Sequence, residues 1–174
     1  MTKITRRGFN KKLAKGAGGA ALALHMPLAC GMGQDHKKLG IALVGLGGYS
    51  TYQLAPALEQ TEHCYLAGIV TGTPAKERSW ANKYRIPESN IYNYQSFDAI
   101  KDNAEIDVVY VVLPNSMHAE FAIRAAEAGK HVICEKPMGM NVAECDAIIK
   151  ACSDNGVKFR YGLSTSFRTL YESS

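Results

Sequence analysis

The sequence predicts an α/β domain built on a doubly wound parallel sheet of about six strands. Strand-like and helix-like segments alternate over residues 39–159 at the spacing of βαβ units. Residues 108–113 are apolar throughout, as a strand covered on both faces requires. The first apolar run, residues 39–44, ends directly in glycines and is followed by a helix-compatible stretch. That order is typical of a strand that turns sharply into a helix.

Each element has a local signal. Strands are predicted where β-branched and aromatic residues cluster, and helices where apolar residues recur at helical spacing. Gly129, and the pair Asn155 and Gly156, are expected to end the helices that precede them. The predicted strands are 39–44, 65–70, 91–94, 107–113, 130–134 and one that opens at 157–159; the predicted helices are 52–59, 75–84, 97–100, 119–128 and 142–153.

The N-terminal segment differs in charge from the rest of the chain. The 174 residues carry a net charge of +4, and six of the 20 basic residues lie in the first 15. Residues 5–11, TRRGFNK, resemble the twin-arginine export signal, and the weakly apolar residues 17–28 are too few to span a bilayer. We expect a signal over 1–30, a polar linker over 31–38 and a periplasmic location. Lipid anchoring at Cys30 and a cytoplasmic protein with a merely basic N-terminus are the alternatives.

Composition argues against several classes of partner. Without residues 1–30 the chain has 14 basic and 16 acidic residues, so no basic face is expected for nucleic acid. The cysteines that follow residues 1–30 lack the spacing of metal ligands, and we expect no metal site. No membrane span is expected either. These cysteines are Cys64, Cys134, Cys145 and Cys152.

The glycine-rich segment after the first strand predicts a Rossmann NAD(P)-binding domain. Gly45 permits the tight turn, and Gly47 lets the backbone approach a pyrophosphate without an intervening Cβ. Ser50 stands where the usual third glycine would be, and is small enough for helix–strand packing. The alternative is a glycine-rich strand end that binds nothing. The residues expected to bind cofactor here are Gly45, Leu46, Gly47, Gly48 and Tyr49.

Ligands of such sheets collect beyond the carboxyl ends of the strands, and two further motifs lie there. They are LPNSMH at 113–118 and EKP at 135–137. With VGLG at 44–47 and IYNYQSFD at 91–98, they resemble the Gfo/Idh/MocA family of nicotinamide-dependent sugar oxidoreductases, particularly its glucose–fructose oxidoreductase branch. The resemblance covers about residues 39–159. It implies hydride transfer between a sugar or polyol and nicotinamide, and homo-oligomers among the full-length relatives.

The resemblance also assigns roles to residues at these strand ends. It implies that Lys136 is the catalytic residue, and that Glu135 contacts the nicotinamide ribose or amide. A lysine side chain can bind a sugar hydroxyl and help to remove its proton; the alternative is a solvated surface lysine. His118 is expected on the nicotinamide side, or else as a cap of the following helix. The other residues expected on that side are Leu113, Pro114, Asn115 and Pro137.

The cofactor preference is predicted from the segment after the second strand. An NAD-preferring domain usually has an acidic residue there that binds the ribose hydroxyls. This chain has Thr71, Gly72 and Thr73, with the cations Lys76 and Arg78 just beyond. The segment therefore favours NADP over NAD, because cations can pair with a 2′-phosphate. The alternative is that both cations are ordinary exposed helix residues.

The last residues depart from the family pattern. The resemblance implies a second α/β domain, which we expect to be missing, and residues 160–174 do not match the family's G-Y-R-x-H-x-x-P motif. Reading the genetic code one base later from Arg160 can restore that motif, so we expect this tail to be a frameshift product. The expected function is an NADP-dependent sugar oxidoreductase reduced to its nucleotide-binding domain. The alternative is a non-catalytic dinucleotide-binding module or inactive gene remnant.

Overall fold

A computed structural model describes residues 37–162, which form a six-stranded sheet whose strands are all parallel. The predicted strands are all present; β1 has the predicted ends, and the ends of the others are shifted by one or two residues. They are β1 Leu39–Val44, β2 Cys64–Val70, β3 Ile91–Tyr92, β4 Val108–Val111, β5 His131–Cys134 and β6 Phe159–Tyr161.

The helices alternate with the strands, as predicted. The first begins with a π-helical turn, Ser50–Leu54, which continues into α1, Ala55–Gln60. The other α-helices are α2 Pro74–Tyr84, α3 His118–Glu127 and α4 Val142–Asp154. Three short 3₁₀ segments complete the set: Glu88–Asn90, Phe97–Asp102 and Asn115–Met117.

The strand order places the expected site at the centre of the sheet. The order is β3-β2-β1-β4-β5-β6, so β1 pairs with both β2 and β4. From β1 the chain adds β2 and β3 on one side, and then crosses over to add β4, β5 and β6 on the other side. Ligands of open α/β sheets bind at this switch, beyond the carboxyl ends of the two central strands.

Two apolar clusters, one on each face, hold the helices to the sheet. Successive strand residues face opposite sides, and in β1 Leu43 belongs to one cluster and Val44 to the other. The Leu43 cluster contains Trp80 of α2, whereas the Val44 cluster contains Phe121 of α3 and Ile148 of α4. Covering on both faces explains why the central strands are apolar without alternation.

Two local differences from the sequence prediction have a physical cause. Strand β3 is two residues shorter than predicted, because the Asn93 side chain accepts hydrogen bonds from the backbone N–H groups of Gln95 and Ser96 and forms a turn. Gly129 and Gly156 adopt φ angles of 71° and 64°, which confirms them as the ends of α3 and α4.

Several predictions concern residues that the structure does not describe. Residues 1–36 and 163–174 lie outside the described range, and with them the twin-arginine signal, Cys30, most of the linker and most of the tail. Of the expected tail, Arg160 and Tyr161 continue β6 and pair with Ile133 and Cys134 of β5. Among residues 37–162, no helix is long and apolar enough to cross a lipid bilayer.

Candidate functional site

The turn after β1 can be made only with glycine at position 45. Gly45 has a φ of 97°, and a Cβ on it would lie 2.6 Å from the carbonyl oxygen of Val112 on the neighbouring segment. Both the left-handed backbone and the close approach exclude a side chain. The turn directs the chain from β1 into the first helix, as the sequence predicted.

Two hydroxyl groups at the start of the helix form hydrogen bonds to the backbone of this turn. The Ser50 hydroxyl is fully buried and donates to the Gly45 carbonyl oxygen at 2.6 Å, while Thr51 donates to the Gly47 carbonyl oxygen at 2.8 Å. Ser50 is therefore accommodated at the position where the motif usually has its third glycine. Gly47 is exposed, and nothing lies within 4 Å of where its Cβ would be. The backbone at Gly47 is thus open to a ligand.

Segments from three strand ends line one open cavity of about 610 Å³. They follow β1, β4 and β5, so the cavity lies at the switch between β1 and β4. Eight of the sixteen residues predicted to bind cofactor line it, together with one residue that was not predicted. The lining residues are Gly47, Gly48, Tyr49, Val112, Leu113, Pro114, His118, Glu135 and Lys136.

His118 joins two of the segments that line the cavity. Its ring is 1% exposed, with Nδ1 2.6 Å from the carbonyl oxygen of Pro137 and Nε2 2.8 Å from that of Leu113. Which nitrogen donates depends on the tautomer. His118 is the first residue of α3, and its ring nitrogens are directed at these backbone oxygens and not at the N–H groups that begin the helix. The capping role considered from the sequence is therefore wrong, and His118 holds the cavity wall together.

Lys136 and Glu135 follow β5 at the rim of the cavity. Lys136 is exposed, and its peptide bond to Pro137 is cis. The Glu135 carboxylate accepts two hydrogen bonds: one from the Tyr110 hydroxyl to Oε1 at 2.6 Å, and one from the Lys136 backbone N–H to Oε2 at 3.3 Å. An exposed amine at the rim of the cavity can bind a hydroxyl group and exchange a proton with it.

The segment predicted to select the cofactor lies beyond the end of β2. Thr71 is buried, and its hydroxyl oxygen accepts from the Thr73 backbone N–H at 3.2 Å. A Cβ on Gly72 would lie 2.9 Å from the ring of Tyr94. The exposed Lys76 reaches back, and its Nζ donates to the Leu46 carbonyl oxygen at 2.8 Å. One cation of α2 is therefore anchored at the glycine turn.

The remaining predicted residues contribute through the backbone or lie at the edge. Leu46 is 4% exposed and packs in the core, and its carbonyl oxygen accepts from Lys76 Nζ. Asn115 is exposed at the start of its 3₁₀ segment and does not line the cavity. Pro137 contributes the carbonyl oxygen that His118 contacts. Among residues 37–162, no group of three or more His, Cys, Asp or Glu side chains could hold a metal ion.

Sequence reasoning missed Tyr110 and Val112. Tyr110 carries the one polar atom in an otherwise apolar stretch, residues 108–113, and buried tyrosine hydroxyls usually have a partner. That signal was available. No sequence signal marked Val112, because it contributes by lying next to the Gly45 turn. That proximity follows only from the pairing of β1 with β4.

The strand order, the glycine turn and the shared cavity define a dinucleotide-binding α/β domain. The chain belongs to the Gfo/Idh/MocA family, described as "Oxidoreductase family, NAD-binding Rossmann fold", which matches residues 39–163. It is therefore an NAD(P)-binding Rossmann domain of an oxidoreductase family.

Individual relatives extend this result. The structure of an aldose–aldose oxidoreductase from Caulobacter crescentus, in complex with glycerol, is 49% identical with a TM-score of 0.71, covering 72% of this chain and 38% of the other. D-xylose 1-dehydrogenase (NADP(+)) 2 of Haloferax volcanii is 32% identical over 75% of this chain and 38% of its own length. 2,7-anhydro-N-acetylneuraminate hydratase of Escherichia coli is 39% identical over 46% of this chain and 22% of its own length. The chain thus spans about two fifths or less of the length of these relatives.

Proposed function

We propose that this chain is the cofactor-binding part of an NADP-dependent oxidoreductase that acts on a sugar or polyol. One observation carries the proposal: the segments after β1, β4 and β5 line a single cavity, and the exposed Lys136 lies at its edge. Backbone open to a phosphate and an amine able to act on a hydroxyl thus share one site.

The residues present fit a dinucleotide. Gly47 leaves open the space that a Cβ would fill, next to the start of a helix whose N–H groups favour an anion. Gly48 and Tyr49 extend this surface into the cavity. These residues would hold the pyrophosphate, and the segment after β4 would hold the nicotinamide side.

NADP is favoured over NAD by what surrounds the end of β2. No acidic residue occurs between Val70 and Lys76, so no carboxylate there would bind both ribose hydroxyls or repel a 2′-phosphate. Lys76 uses one donor on the Leu46 carbonyl oxygen. An ammonium group has three donors, which leaves two for a phosphate beside the glycine turn. D-xylose 1-dehydrogenase (NADP(+)) 2 carries this cofactor preference in its name.

Oxidation of an alcohol removes a hydride from carbon and a proton from the hydroxyl group. Nicotinamide supplies the hydride acceptor when bound. Lys136 would bind the hydroxyl oxygen, and in its amine form would accept the proton. Glu135, fixed by Tyr110 and by the Lys136 backbone N–H, would present its carboxylate to the nicotinamide side of the site.

The substrate class rests on the relatives. The three relatives described above are named for an aldose, a xylose and an anhydrosugar acid, all carbohydrates. Their reactions differ, since one is a hydratase. We therefore assign a sugar or polyol and leave the individual compound to a substrate screen.

A second candidate function is dinucleotide binding without turnover. The open cavity and the exposure of Lys136 favour it, because hydride transfer needs a site that excludes water and holds both reactants close together. A turnover assay on a panel of aldoses and polyols, run beside a cofactor-binding assay, separates the two candidates.

The cofactor proposal is tested by calorimetry on the full chain with NADP and with NAD. We expect tighter binding of NADP, and loss or inversion of this preference in Lys76→Glu, which replaces a charge-assisted contact of about 1–3 kcal/mol with repulsion. Lys83→Glu makes the same charge change at the other end of α2 and should retain the preference. Equal affinities for NADP and NAD in the unmodified chain would contradict the cofactor assignment.

A further inference from the structure

Tyr110 extends a hydroxyl group from inside the sheet to Glu135, a residue that lines the cavity. The residue lies in β4, is 5% exposed and packs in the cluster that contains Leu43 and Trp80. Its ring therefore contributes to the core as a phenylalanine ring would. The hydroxyl is a separate feature, because a buried polar atom costs stability unless it is paired.

The pairing of β4 with β5 directs this hydroxyl at Glu135. Tyr110 lies opposite Ile133, and Glu135 is two residues further on, so both side chains are on the face that Tyr110 occupies. The Glu135 backbone N–H continues the ladder by donating to the Val111 carbonyl oxygen at 3.0 Å. The phenol spans one strand step diagonally and donates to Oε1 at 2.6 Å.

The second carboxylate oxygen of Glu135 is fixed as well. Oε2 accepts from the Lys136 backbone N–H at 3.3 Å, so each oxygen has a partner that cannot move freely. An ionised carboxylate accepts about four hydrogen bonds, and two of these are used here. Because Glu135 lines the cavity, a ligand there can use the remaining acceptor capacity.

The Tyr110 hydroxyl remains a donor across the working pH range of proteins. Burial raises the pKa of Tyr110 above its usual value of 10.0, and the hydrogen bond and charge of Glu135 raise it further, with a smaller contribution from Tyr49. A phenol with a raised pKa keeps its proton at neutral and mildly alkaline pH. The contact with Oε1 therefore does not depend on the titration of Tyr110.

We propose that Tyr110 is a positioning residue of the cofactor site, whose hydroxyl orients the Glu135 carboxylate toward the nicotinamide end of the bound dinucleotide. The inference rests on the proposed function, because Glu135 is assigned to that end. It assigns nothing to the adenosine end, where the proposed function places Lys76. Ligands with and without the nicotinamide end should therefore respond differently to a change at Tyr110, and this difference is the basis of the test.

The test compares Tyr110→Phe with the unmodified full chain, using calorimetry with NADP and with adenosine 2′,5′-bisphosphate, which lacks the nicotinamide end. We expect NADP binding to weaken about 3- to 10-fold and bisphosphate binding to stay unchanged. In a Glu135→Ala background, Tyr110→Phe should cause no further loss, because the group it orients is gone.

Tyr92→Phe is the matched control. Tyr92 is also a buried strand tyrosine, 7% exposed, whose hydroxyl accepts from the Asn103 side chain at 2.9 Å away from the cavity. NADP affinity should not change in this variant. Equal weakening of both ligands in Tyr110→Phe, or an additive loss in the Glu135→Ala background, would overturn the inference. Absence of NADP binding by the unmodified chain would instead overturn the proposed function, and this inference with it.

Discussion

His118 and Pro137 are joined across the cavity wall, with Nδ1 of the imidazole 2.6 Å from the Pro137 carbonyl oxygen. The other ring nitrogen is 2.8 Å from the carbonyl oxygen of Leu113. Leu113 follows β4 and Pro137 follows β5, so one buried ring connects two strand ends. The relative position of these two strand ends, and with it the shape of the cavity, therefore depends on one side chain whose ring nitrogens contact only backbone oxygens.

His118→Phe should destabilise the fold and weaken cofactor binding together. The replacement keeps a ring of similar size but removes the N–H donor that the imidazole offers to the carbonyl oxygens of Leu113 and Pro137. An unpaired buried polar group costs about 1–3 kcal/mol, so we expect a loss of this order in the free energy of unfolding, measured in urea. Calorimetry should show weaker NADP binding in the same variant.

His63→Phe serves as the control for that substitution. His63 is exposed, and its side chain makes none of the hydrogen bonds observed among residues 37–162. Both the unfolding free energy and the NADP affinity should remain near those of the unmodified chain. Equal losses from the two variants would refute the connecting role of His118.

Most of the sheet could be predicted from the sequence because its signals are local. The apolar run of β4 and the glycines after β1 determine their structures through neighbours in the chain. The positions of Gly47 and Lys136 at strand ends followed from the same reasoning, and the structure brings both to one cavity.

What could not be predicted depends on contacts between distant segments. The Lys76 contact with the Leu46 carbonyl oxygen spans 30 positions, and the Tyr110 contact with Glu135 spans 25. Each requires the register of neighbouring elements, which no local pattern specifies. His118 illustrates the same limit: a nicotinamide contact and a helix cap were the alternatives, whereas its ring nitrogens face two backbone oxygens.

Gly45→Ala and Gly47→Ala should separate folding from binding. At Gly45, φ is 97° and a Cβ would lie 2.6 Å from the Val112 carbonyl oxygen, so we expect a loss of about 2 kcal/mol or more in unfolding free energy. At Gly47 a Cβ meets nothing within 4 Å. That variant should unfold like the unmodified chain but bind NADP more weakly, because the Cβ lies where the pyrophosphate approaches. Unchanged NADP affinity in Gly47→Ala would argue against this approach.

Export is predicted to require the arginine pair at the N-terminus. The periplasmic location is a proposal from residues 5–11 alone, outside the part of the chain that the structure describes. Arg6→Lys combined with Arg7→Lys retains the charge but removes the twin-arginine pattern. A reporter fused behind the unmodified segment should be exported, and the double variant should remain in the cytoplasm. Lys12→Arg with Lys15→Arg, both outside residues 5–11, is the control and should still be exported. Efficient export of the variant with Arg6→Lys and Arg7→Lys would disprove the signal.

Cys134 is predicted to resist thiol reagents in the folded chain. Its side chain is fully buried, and burial, with the charge of Glu135 and a smaller effect of Cys145, raises the pKa of its thiol to about 12. Thiolate forms only as the pH rises through the pKa, so at pH 8 the Cys134 thiol is almost entirely protonated. Labelling followed by peptide mapping should modify the half-buried Cys64 and Cys145 first, and all of these cysteines in urea. Labelling of Cys134 as fast as Cys145 in the folded chain would show that the end of β5 opens, and with it the wall that carries Glu135.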